Sequence, residues 1–383
     1  MIYIHIPYCR SFCTYCDFYS EVASRCSTYE GFAKALSAEI SAREGEIKDN
    51  IQSPLGVNTL YIGGGTPSVL PLSVFESILS SLKGVGCPGN FEEFTVEVNP
   101  EDIVEKGHVY VEGLLRLGVN RISMGVQSFD DAILKWMNRR HDSERARQAY
   151  AILEEAGVKN ISIDLIFGLS QLDLEGWKAN LSRALSISPS GMLPSHISSY
   201  QLSVEEGSAL AVMMAKGQWR EASDDVCAQQ YEMLCETLKQ AGYNHYEISN
   251  FAQPGYEACH NSAYWTHAPY IGLGPGAHSY RMSERKWNNP SLSAYIEAGK
   301  SGDFTFVQEG EELTAEQLGL ERLMLGLRTS NGLPSDFLEA FCGKESICNA
   351  IEEGHLLLLA DGYIRIPEEK FFISDSIITN LSF

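Results

Sequence analysis

The chain has 383 residues, enough for roughly two to three domains, or for one βα barrel of about 250 residues and a smaller domain. Hydrophobic residues make up 44% and charged residues 21%, which is typical of globular proteins and excludes a disordered, collagen-like or coiled-coil chain. The 50 Asp and Glu residues outnumber the 29 Lys and Arg residues; a net charge of −21 repels phosphate, so we expect no nucleic acid partner.

Short apolar or alternating runs predict strands along the first half of the chain. In the first of them Ile2, Ile4 and Ile6 alternate with Tyr3 and His5. The six predicted strands cover residues 2–6, 59–62, 94–98, 121–124, 161–166 and 196–201.

Amphipathic stretches between these strands predict helices at residues 32–47, 72–82, 109–117, 131–139, 145–155 and 177–185. Strands that alternate with helices are typical of βαβ units and a parallel sheet. We therefore predict an α/β fold, an incomplete (β/α)6 barrel of TIM type, whose functional site lies at the carboxyl ends of the strands.

The pattern changes after residue 216, where a long helix at 222–240 is followed by a Gly- and aromatic-rich stretch at 250–280. Thr314 and Gln317 form a capping-box signature that opens a helix through 318–327, and residues 363–366 predict a strand. We predict three units: a partial barrel with a cysteine loop at 1–220, a barrel extension at 221–300 and a small α/β domain at 301–383. The last unit is expected to cover the barrel mouth or to meet a partner.

The cellular location indicates whether the ten cysteines are thiols or disulfides. No apolar run approaches the ~20 residues that cross a bilayer, and the N-terminus lacks a basic region and a cleavage site, so we expect a cytoplasmic protein. Cysteines in that compartment are expected to be thiols. Seven are scattered, and we expect most of these to be small buried apolar residues. They are Cys26, Cys87, Cys227, Cys235, Cys259, Cys342 and Cys348.

The other three, Cys9, Cys13 and Cys16, lie in one loop after the first strand. Soft thiolates at this spacing fit one face of a [4Fe–4S] cluster and leave the fourth iron open for a small chelating ligand. A structural zinc site is an alternative, but zinc needs a fourth ligand and His5 lies within the strand. Three unrelated buried thiols are a further alternative, which the tight spacing disfavours.

The Cys-x3-Cys-x2-Cys loop resembles the cluster motif of the radical S-adenosylmethionine (SAM) family. The flanking letters HIPYC at residues 5–9 and CDF at residues 16–18 are similar to the branch that contains oxygen-independent coproporphyrinogen III oxidase (HemN) and the heme chaperone HemW. The resemblance covers nearly the whole chain, and further motifs occur in the family's order. It implies a [4Fe–4S] cluster and SAM as cofactors and a radical SAM barrel followed by a HemN-type C-terminal domain.

One turn and two strand ends match SAM contacts of the family. Gly64, Gly65 and Thr66 lie in a GGGTP turn that resembles the motif holding the SAM amino group. On its own, such a turn indicates only backbone NH groups exposed to a ligand. Glu97 and Gln127 end the third and fourth strands, where the resemblance implies further SAM contacts; an isolated strand-end Glu is usually just solvated.

Arg139 matches a family arginine whose fork of donors suits the SAM carboxylate, with a surface helix charge as the alternative and Arg140 adjacent to it. Asp164 is an acid within an apolar strand and needs hydrogen-bond donors if it is buried. The resemblance assigns Asp164 to the ribose hydroxyls of SAM. Further positions that match adenosyl contacts are Tyr3, Tyr15, Leu202 and His278, the last of which is not fixed in type in the family.

The HNSAYW segment at residues 260–265 matches the HNxxYW signature of HemW-type proteins, so the resemblance implies that His260 binds heme. Imidazole is a good axial ligand for heme iron, and Tyr264 and Trp265 are suited to stack on a porphyrin. Packing is the ordinary role of His and Trp in such a segment, and Cys259 is an alternative thiolate ligand.

Two function classes remain open. One is a cluster- and SAM-containing chaperone that passes heme to an acceptor protein, through which a peripheral membrane contact arises. The other is the anaerobic oxidative decarboxylation of coproporphyrinogen III in porphyrin biosynthesis, which implies SAM cleavage in a water-excluded barrel. Phe18 stands where the oxidases have a fourth cysteine, and their segment before the cluster strand is missing here; both features favour the chaperone. The complete set of SAM motifs keeps the oxidase open.

Overall fold

The computed structural model describes residues 1–23 and 27–382. Its strands are β1 (Ile2–Ile6), β2 (Tyr8–Cys9), β3 (Glu21–Val22), β4 (Thr59–Gly64), β5 (Glu93–Val98), β6 (Arg121–Gln127), β7 (Asn160–Phe167), β8 (His196–Gln201), β9 (Asn244–Glu247), β10 (Asn250–Ala252), β11 (Ile271–Leu273), β12 (His278–Arg281), β13 (Glu284–Asn288), β14 (Gln308–Glu312), β15 (Leu333–Pro334), β16 (Leu357–Leu358) and β17 (Tyr363–Arg365). Its α-helices are α1 (Ser27–Ala42), α2 (Glu44–Ile51), α3 (Leu72–Gly84), α4 (Pro100–Arg116), α5 (Asp131–Trp136), α6 (Ser143–Glu155), α7 (Leu174–Leu185), α8 (Ala209–Ala215), α9 (Asp224–Gln240), α10 (Cys259–Trp265), α11 (Leu292–Ser301), α12 (Ala315–Leu327), α13 (Ser335–Cys342), α14 (Lys344–Glu352) and α15 (Ser374–Ser382).

One sheet organises the barrel, in the strand order β11-β1-β4-β5-β6-β7-β8-β10-β9. The strands from β11 to β8 pair in parallel, and β10 and β9 continue the sheet in antiparallel orientation. The α/β prediction and the barrel type are thereby confirmed, and all six predicted strands are present. The strand β11 was not predicted; it comes from the Gly-rich stretch and pairs with β1, which places it at one edge of the sheet.

Alternation along β1 shows which residues face the apolar core and which face the barrel interior. Ile2, Ile4 and Ile6 are buried in the apolar core, which the helices share. Tyr3 and His5 occupy the alternate positions, on the opposite face of the sheet. There the Tyr3 hydroxyl and His5 Nδ1 are 3.0 Å apart. The interior of the barrel is therefore polar, and the apolar core lies between the sheet and the helices.

Two predicted helices end earlier than expected. The stretch at 32–47 forms two helices, α1 and α2, which meet at Arg43; this side chain is buried and ion-pairs with Glu39 and Glu46. The stretch at 131–139 is helical only to Trp136, because Asn138 adopts a left-handed backbone with φ 58°. That early end brings Arg139 out of the helix.

The C-terminal part contains the predicted capping box, in which Thr314 Oγ1 accepts from the Gln317 amide and Gln317 Oε1 accepts from the Thr314 amide. It also contains a small antiparallel sheet in the order β15-β17-β16. This part packs at the foot of the barrel, where the strands begin, and lines a cavity there with Gly326 and Leu333. The alternative that it covers the barrel mouth is wrong.

The scattered cysteines are less buried than expected. Cys26 lies outside the described residues. Among the six that the structure describes, Cys87 and Cys227 are buried, Cys348 is exposed, and the other three are half-buried; all are free thiols. The prediction that most of them are buried is wrong. None of the described helices combines the length and the apolar character that a membrane crossing needs.

The contact between α1 and α11 gives a stability prediction. An added Cβ at Gly299 would lie 2.4 Å from the Cα and Cβ of Ala35. Alanine usually favours a helix over glycine by about 1 kcal/mol, but overpacking costs about 1–3 kcal/mol. We expect Gly299→Ala to lower the free energy of unfolding by about 1–2 kcal/mol in urea titrations. Gly45→Ala, in α2 with nothing within 4 Å, is the matched control and should not destabilise the protein; equal stability of both variants would contradict the packing argument.

Candidate functional site

A cavity of about 600 Å³ opens at the carboxyl ends of the parallel strands, and we call it the mouth cavity. Most of the site residues predicted from the sequence line it. They are Cys9, Cys13, Tyr15, Cys16, Gly64, Gly65, Thr66, Glu97, Gln127, Arg139, Asp164 and Leu202. Tyr3, His260 and His278 are not part of this lining.

The cysteine loop is anchored to the barrel by its backbone. The Thr14 amide donates to the Met137 carbonyl at 3.2 Å, and the Thr14 carbonyl accepts from the Leu210 amide at 2.8 Å. The sulfur of Cys9 lies 3.3 Å from the Thr66 hydroxyl. No three His, Cys, Asp or Glu side chains of the described residues are close enough together to hold a single metal ion. The three sulfurs nevertheless face one cavity, and thiolate sulfur is the donor that iron–sulfur clusters use.

The amides of the GGGTP turn donate to groups within the protein. The Gly64 amide donates to Glu97 at 3.1 Å, the Gly65 amide to the Ile6 carbonyl at 2.8 Å, and the Thr66 amide to the Tyr8 carbonyl at 2.7 Å. The expectation of free NH groups is therefore wrong, because all three are used inside the protein. Glycine is required by space: a Cβ at Gly65 would lie 2.7 Å from the Tyr8 carbonyl oxygen.

Glu97 connects this turn to the neighbouring strand. One carboxylate oxygen accepts from the Tyr61 hydroxyl at 2.7 Å and the other from the Gly64 amide at 3.1 Å. Burial raises the pKa of Glu97 to about 7, and the Asp164 carboxylate adds to the shift. Glu97 is thus held in place by two donors, rather than solvated.

Asp164 has the donors that its burial requires. The Ser123 hydroxyl donates to it at 3.2 Å, and Ser198 provides a further hydrogen bond. Burial raises the pKa of Asp164 to about 6, while the buried guanidinium of Arg121 opposes the shift. Among the described residues, Nε and Nη1 of Arg121 have no hydrogen-bond partner, so this cation acts on the carboxylates through its field.

Arg139 is not a surface helix charge. Its Nη2 donates to Asn99 Oδ1 and to the Gly125 carbonyl, both at 2.7 Å, and its Nη1 lies 3.5 Å from the Cys13 sulfur. Its Nε has no partner among the described residues. Arg140, the neighbour with which it could have been confused, is exposed. Arg139 therefore places a positive charge between the cysteine loop and the mouth cavity.

Gln127 reaches the mouth cavity because β6 is irregular at its end. The register with β7 shifts between Gly125 and Gln127, and Gln127 adopts φ 67°. A non-glycine residue in this region is strained, and such strain concentrates at functional sites.

Sequence reasoning missed several lining residues. Tyr61, Ser123, Ser198 and Tyr200 line the mouth cavity from the strands, and Asn99 lies beside Arg139. The missed strand residues alternate with buried apolar residues and share the inward face with recognised ones. In the sheet register, Tyr61 lies beside Tyr3, Ser123 beside Glu97 and Ser198 beside Asp164. That period of two was the available signal.

Three predicted site residues lie elsewhere. The Tyr3 side chain is in the barrel interior below the mouth cavity, where it contacts His5. His278 is exposed on β12, with its ring stacked 5.8 Å from that of Trp287. His260 lies on α10, which closes the foot of the barrel.

The imidazole of His260 is buried, and both of its nitrogens have hydrogen-bond partners. Its Nδ1 is 2.8 Å from the Thr59 hydroxyl and its Nε2 is 3.1 Å from the Tyr264 hydroxyl. Its side chain is buried, and burial lowers its pKa well below the usual value. Cys259 and His260 begin α10, and their amides both donate to the Glu93 carboxylate, at 2.7 and 3.1 Å. Both ring nitrogens of His260 are therefore engaged within the protein.

Comparisons with known proteins identify the family and the fold of the chain. Residues 3–182 match the model of the radical SAM superfamily. The chain is 35% identical to the heme chaperone HemW of Lactococcus lactis, over 86% of this chain and 82% of that protein. It is 33% identical to the heme chaperone HemW of Bacillus subtilis, over 86% and 84% of the two chains. The solved structure of coproporphyrinogen III oxidase (HemN) from Escherichia coli has the same fold, with a TM-score of 0.80 and 20% identity, over all of this chain and 89% of that one.

The raised pKa of Glu97 predicts a pH-dependent stability. A carboxyl with a higher pKa in the folded than in the unfolded state stabilises the fold below pH 4.5 and loses that contribution as the pH rises to about 7. In protein without SAM, Glu97→Gln should therefore gain stability relative to the parent by about 3 kcal/mol between pH 4.5 and 8. Urea titrations across this range measure the difference.

Glu206→Gln, at an exposed carboxylate, is the matched control for the loss of one negative charge. A stability difference for Glu97→Gln that does not change with pH would contradict a carboxyl with a raised pKa at this position.

Proposed function

The chain belongs to the radical SAM superfamily and, within it, to the family of the heme chaperone HemW, and from this premise we propose that it binds heme and passes it to an acceptor protein. The observation that carries the proposal is the identity of 33–35% to HemW proteins over more than four fifths of both chains. The HNxxYW segment on α10 supports it further. Membership of the superfamily implies a [4Fe–4S] cluster and SAM.

The residues of the mouth cavity fit these cofactors in their donor chemistry. When bound, the cluster and SAM supply one-electron chemistry. Cys9, Cys13 and Cys16 would hold the cluster, with Arg139 compensating the negative charge of the thiolates. The unpartnered Nε of Arg139 is suited to the SAM carboxylate, while Glu97 positions the glycine turn. We assign the ribose hydroxyls of SAM to Asp164, which Ser123 orients.

For the remaining SAM contacts we keep the assignment of Tyr15 and Leu202 to the adenosyl group, since both line the mouth cavity, and of Gln127 at the strand end. Tyr3 and His278 keep the same adenosyl assignment, but neither residue lines the mouth cavity. The heme role of His260 requires that its Nε2 leave the Tyr264 hydroxyl. We further propose a cytoplasmic location, supported by the free thiols of the described cysteines.

The second candidate function is the oxidative decarboxylation of coproporphyrinogen III. It is favoured by the fold, which matches the oxidase over the whole chain, and by the mouth cavity with its complete SAM motif set. Phe18 argues against it: this residue stands at the position of the oxidases' fourth cysteine, and its ring is 67% exposed at the mouth cavity.

A turnover assay on anaerobically reconstituted protein separates the two functions. With SAM, a low-potential reductant and coproporphyrinogen III, we expect no protoporphyrinogen IX, while a heme titration of the same sample gives a saturable Soret band. The Escherichia coli oxidase is the positive control for the assay. Protoporphyrinogen IX appearing together with 5′-deoxyadenosine would instead establish the oxidase.

The cluster assignment makes a further prediction. Cys13→Ala removes one of three cluster ligands and should abolish the electron paramagnetic resonance signal of the reduced [4Fe–4S] cluster after reconstitution. Cys342→Ala, at a half-buried thiol on α13, is the matched control and should keep the signal and the iron content. A full signal from Cys13→Ala would rule out the assigned ligand set.

A further inference from the structure

A second cavity lies at the foot of the barrel, at the opposite end of the strands from the cysteine loop. Its volume is about 1060 Å³, at the upper end of the range for small-molecule pockets. Asn50, which lines it, donates to the carbonyl of Met1, just before β1 begins. The C-terminal part closes its other side with residues from Arg322 to Pro334. We call it the foot cavity.

The foot cavity is lined by aromatic rings, by uncharged polar side chains and by both signs of charge, with two arginines and the carboxylates of Asp49, Glu247 and Glu257. Trp265, Tyr246 and Tyr280 contribute rings. Arg281 is 2.9 Å from the Asp49 carboxylate, whereas Arg322 has no ion pair among the described residues and lies 4.2 Å over the Phe337 ring. In a chain with a net charge of −21, an unpaired arginine beside aromatic rings is suited to a flat ligand that carries anionic groups.

Met282 is placed unusually at the rim of the foot cavity. It is the first residue of the two-residue turn between β12 and β13 and adopts φ 58°, a conformation that such turns usually give to glycine. Its side chain is 79% exposed and lines the cavity. Backbone strain of this kind concentrates at functional sites, and here it holds the thioether at the rim of the cavity.

Helix α10, which carries the HNxxYW segment, forms part of the wall of the foot cavity. His260 faces the barrel interior, where both of its ring nitrogens are bonded. Ser262 and Trp265, on the other side of the helix, line the foot cavity. The segment therefore offers a ligand the indole of Trp265 more readily than the imidazole of His260.

We infer that the foot cavity is the heme site: Trp265 packs on the porphyrin face, Arg322 and Arg281 bind the propionates, and the Met282 sulfur is an axial ligand to the iron. The inference rests on the proposed function, since it locates the heme that the chaperone carries. Thioether sulfur is an established ligand of heme iron, and arginine is suited to paired contacts with carboxylates. The mouth cavity is left to the cluster and SAM.

Titrations of the cluster-containing protein with ferrous heme and with iron-free protoporphyrin IX test the site, followed by the Soret band and by fluorescence. Arg322→Gln should weaken the binding of both ligands by about tenfold, the scale of one charge-assisted hydrogen bond. Met282→Leu conserves volume, so it should shift the Soret band and weaken heme alone, leaving protoporphyrin IX unchanged. The matched controls Arg147→Gln and Met192→Leu, at exposed positions elsewhere, should leave both ligands unaffected.

The outcomes separate the site from the function. If the parent protein binds heme but Arg322→Gln and Met282→Leu bind it as tightly and with the same spectrum, the foot cavity is not the heme site and the chaperone proposal stands. Loss of heme only in Phe18→Ala would place heme at the mouth cavity and overturn the inference. A parent protein that binds no heme overturns both. His260→Ala adds a readout, since loss of the axial-ligand signature in that variant but not in Met282→Leu would assign the iron to His260.

Discussion

The geometry of the mouth cavity depends on one half-buried carboxylate, that of Glu97. Its two oxygens accept from the Tyr61 hydroxyl and the Gly64 amide, so it connects the end of β5 to the turn that follows β4. The Gly65 and Thr66 amides of this turn donate to the carbonyls of Ile6 and Tyr8, at the base of the cysteine loop. Removing the carboxylate from water costs free energy, which the high pKa records, and the two donors partly offset that cost. The loop and the turn are thus positioned by the same hydrogen-bonded chain of contacts.

A second carboxylate on the same strand has the corresponding role at the foot. Glu93 is four residues before Glu97, on the same face of β5, and accepts from the amides that begin α10. No side chain of α10 itself caps this end, so the strand supplies the acceptor that the free amides of a helix start require. One strand therefore holds the glycine turn at one end of the barrel and the HNxxYW helix at the other.

The sequence allowed the strands and the mouth site to be predicted because both follow local rules. Alternation and apolar runs located six parallel strands of the main sheet, namely β1, β4, β5, β6, β7 and β8. The carboxyl ends of these strands share one edge, which brings Cys13, Glu97 and Asp164 together. Features set by tertiary contacts were not predictable: the break at Arg43 depends on the buried pair with Glu39, and the bulge before Gln127 on the register with β7. The use of the Gly65 and Thr66 amides by distant carbonyls is of the same kind.

The position of His260 shows why a motif can be recognised before its geometry is known. The letters HNxxYW do not say which side of a short helix faces the barrel, and this depends on Thr59 and Glu93, which are far away in the sequence. In the fold, Asn261 lines the mouth cavity while Ser262 and Trp265 line the foot cavity, so α10 is a wall shared by both. A ligand that shifts α10 must break hydrogen bonds of His260 worth about 1 kcal/mol each, and the same shift moves Asn261 at the other cavity. This shared wall gives binding at the foot a direct physical route to the site that holds the cysteine loop.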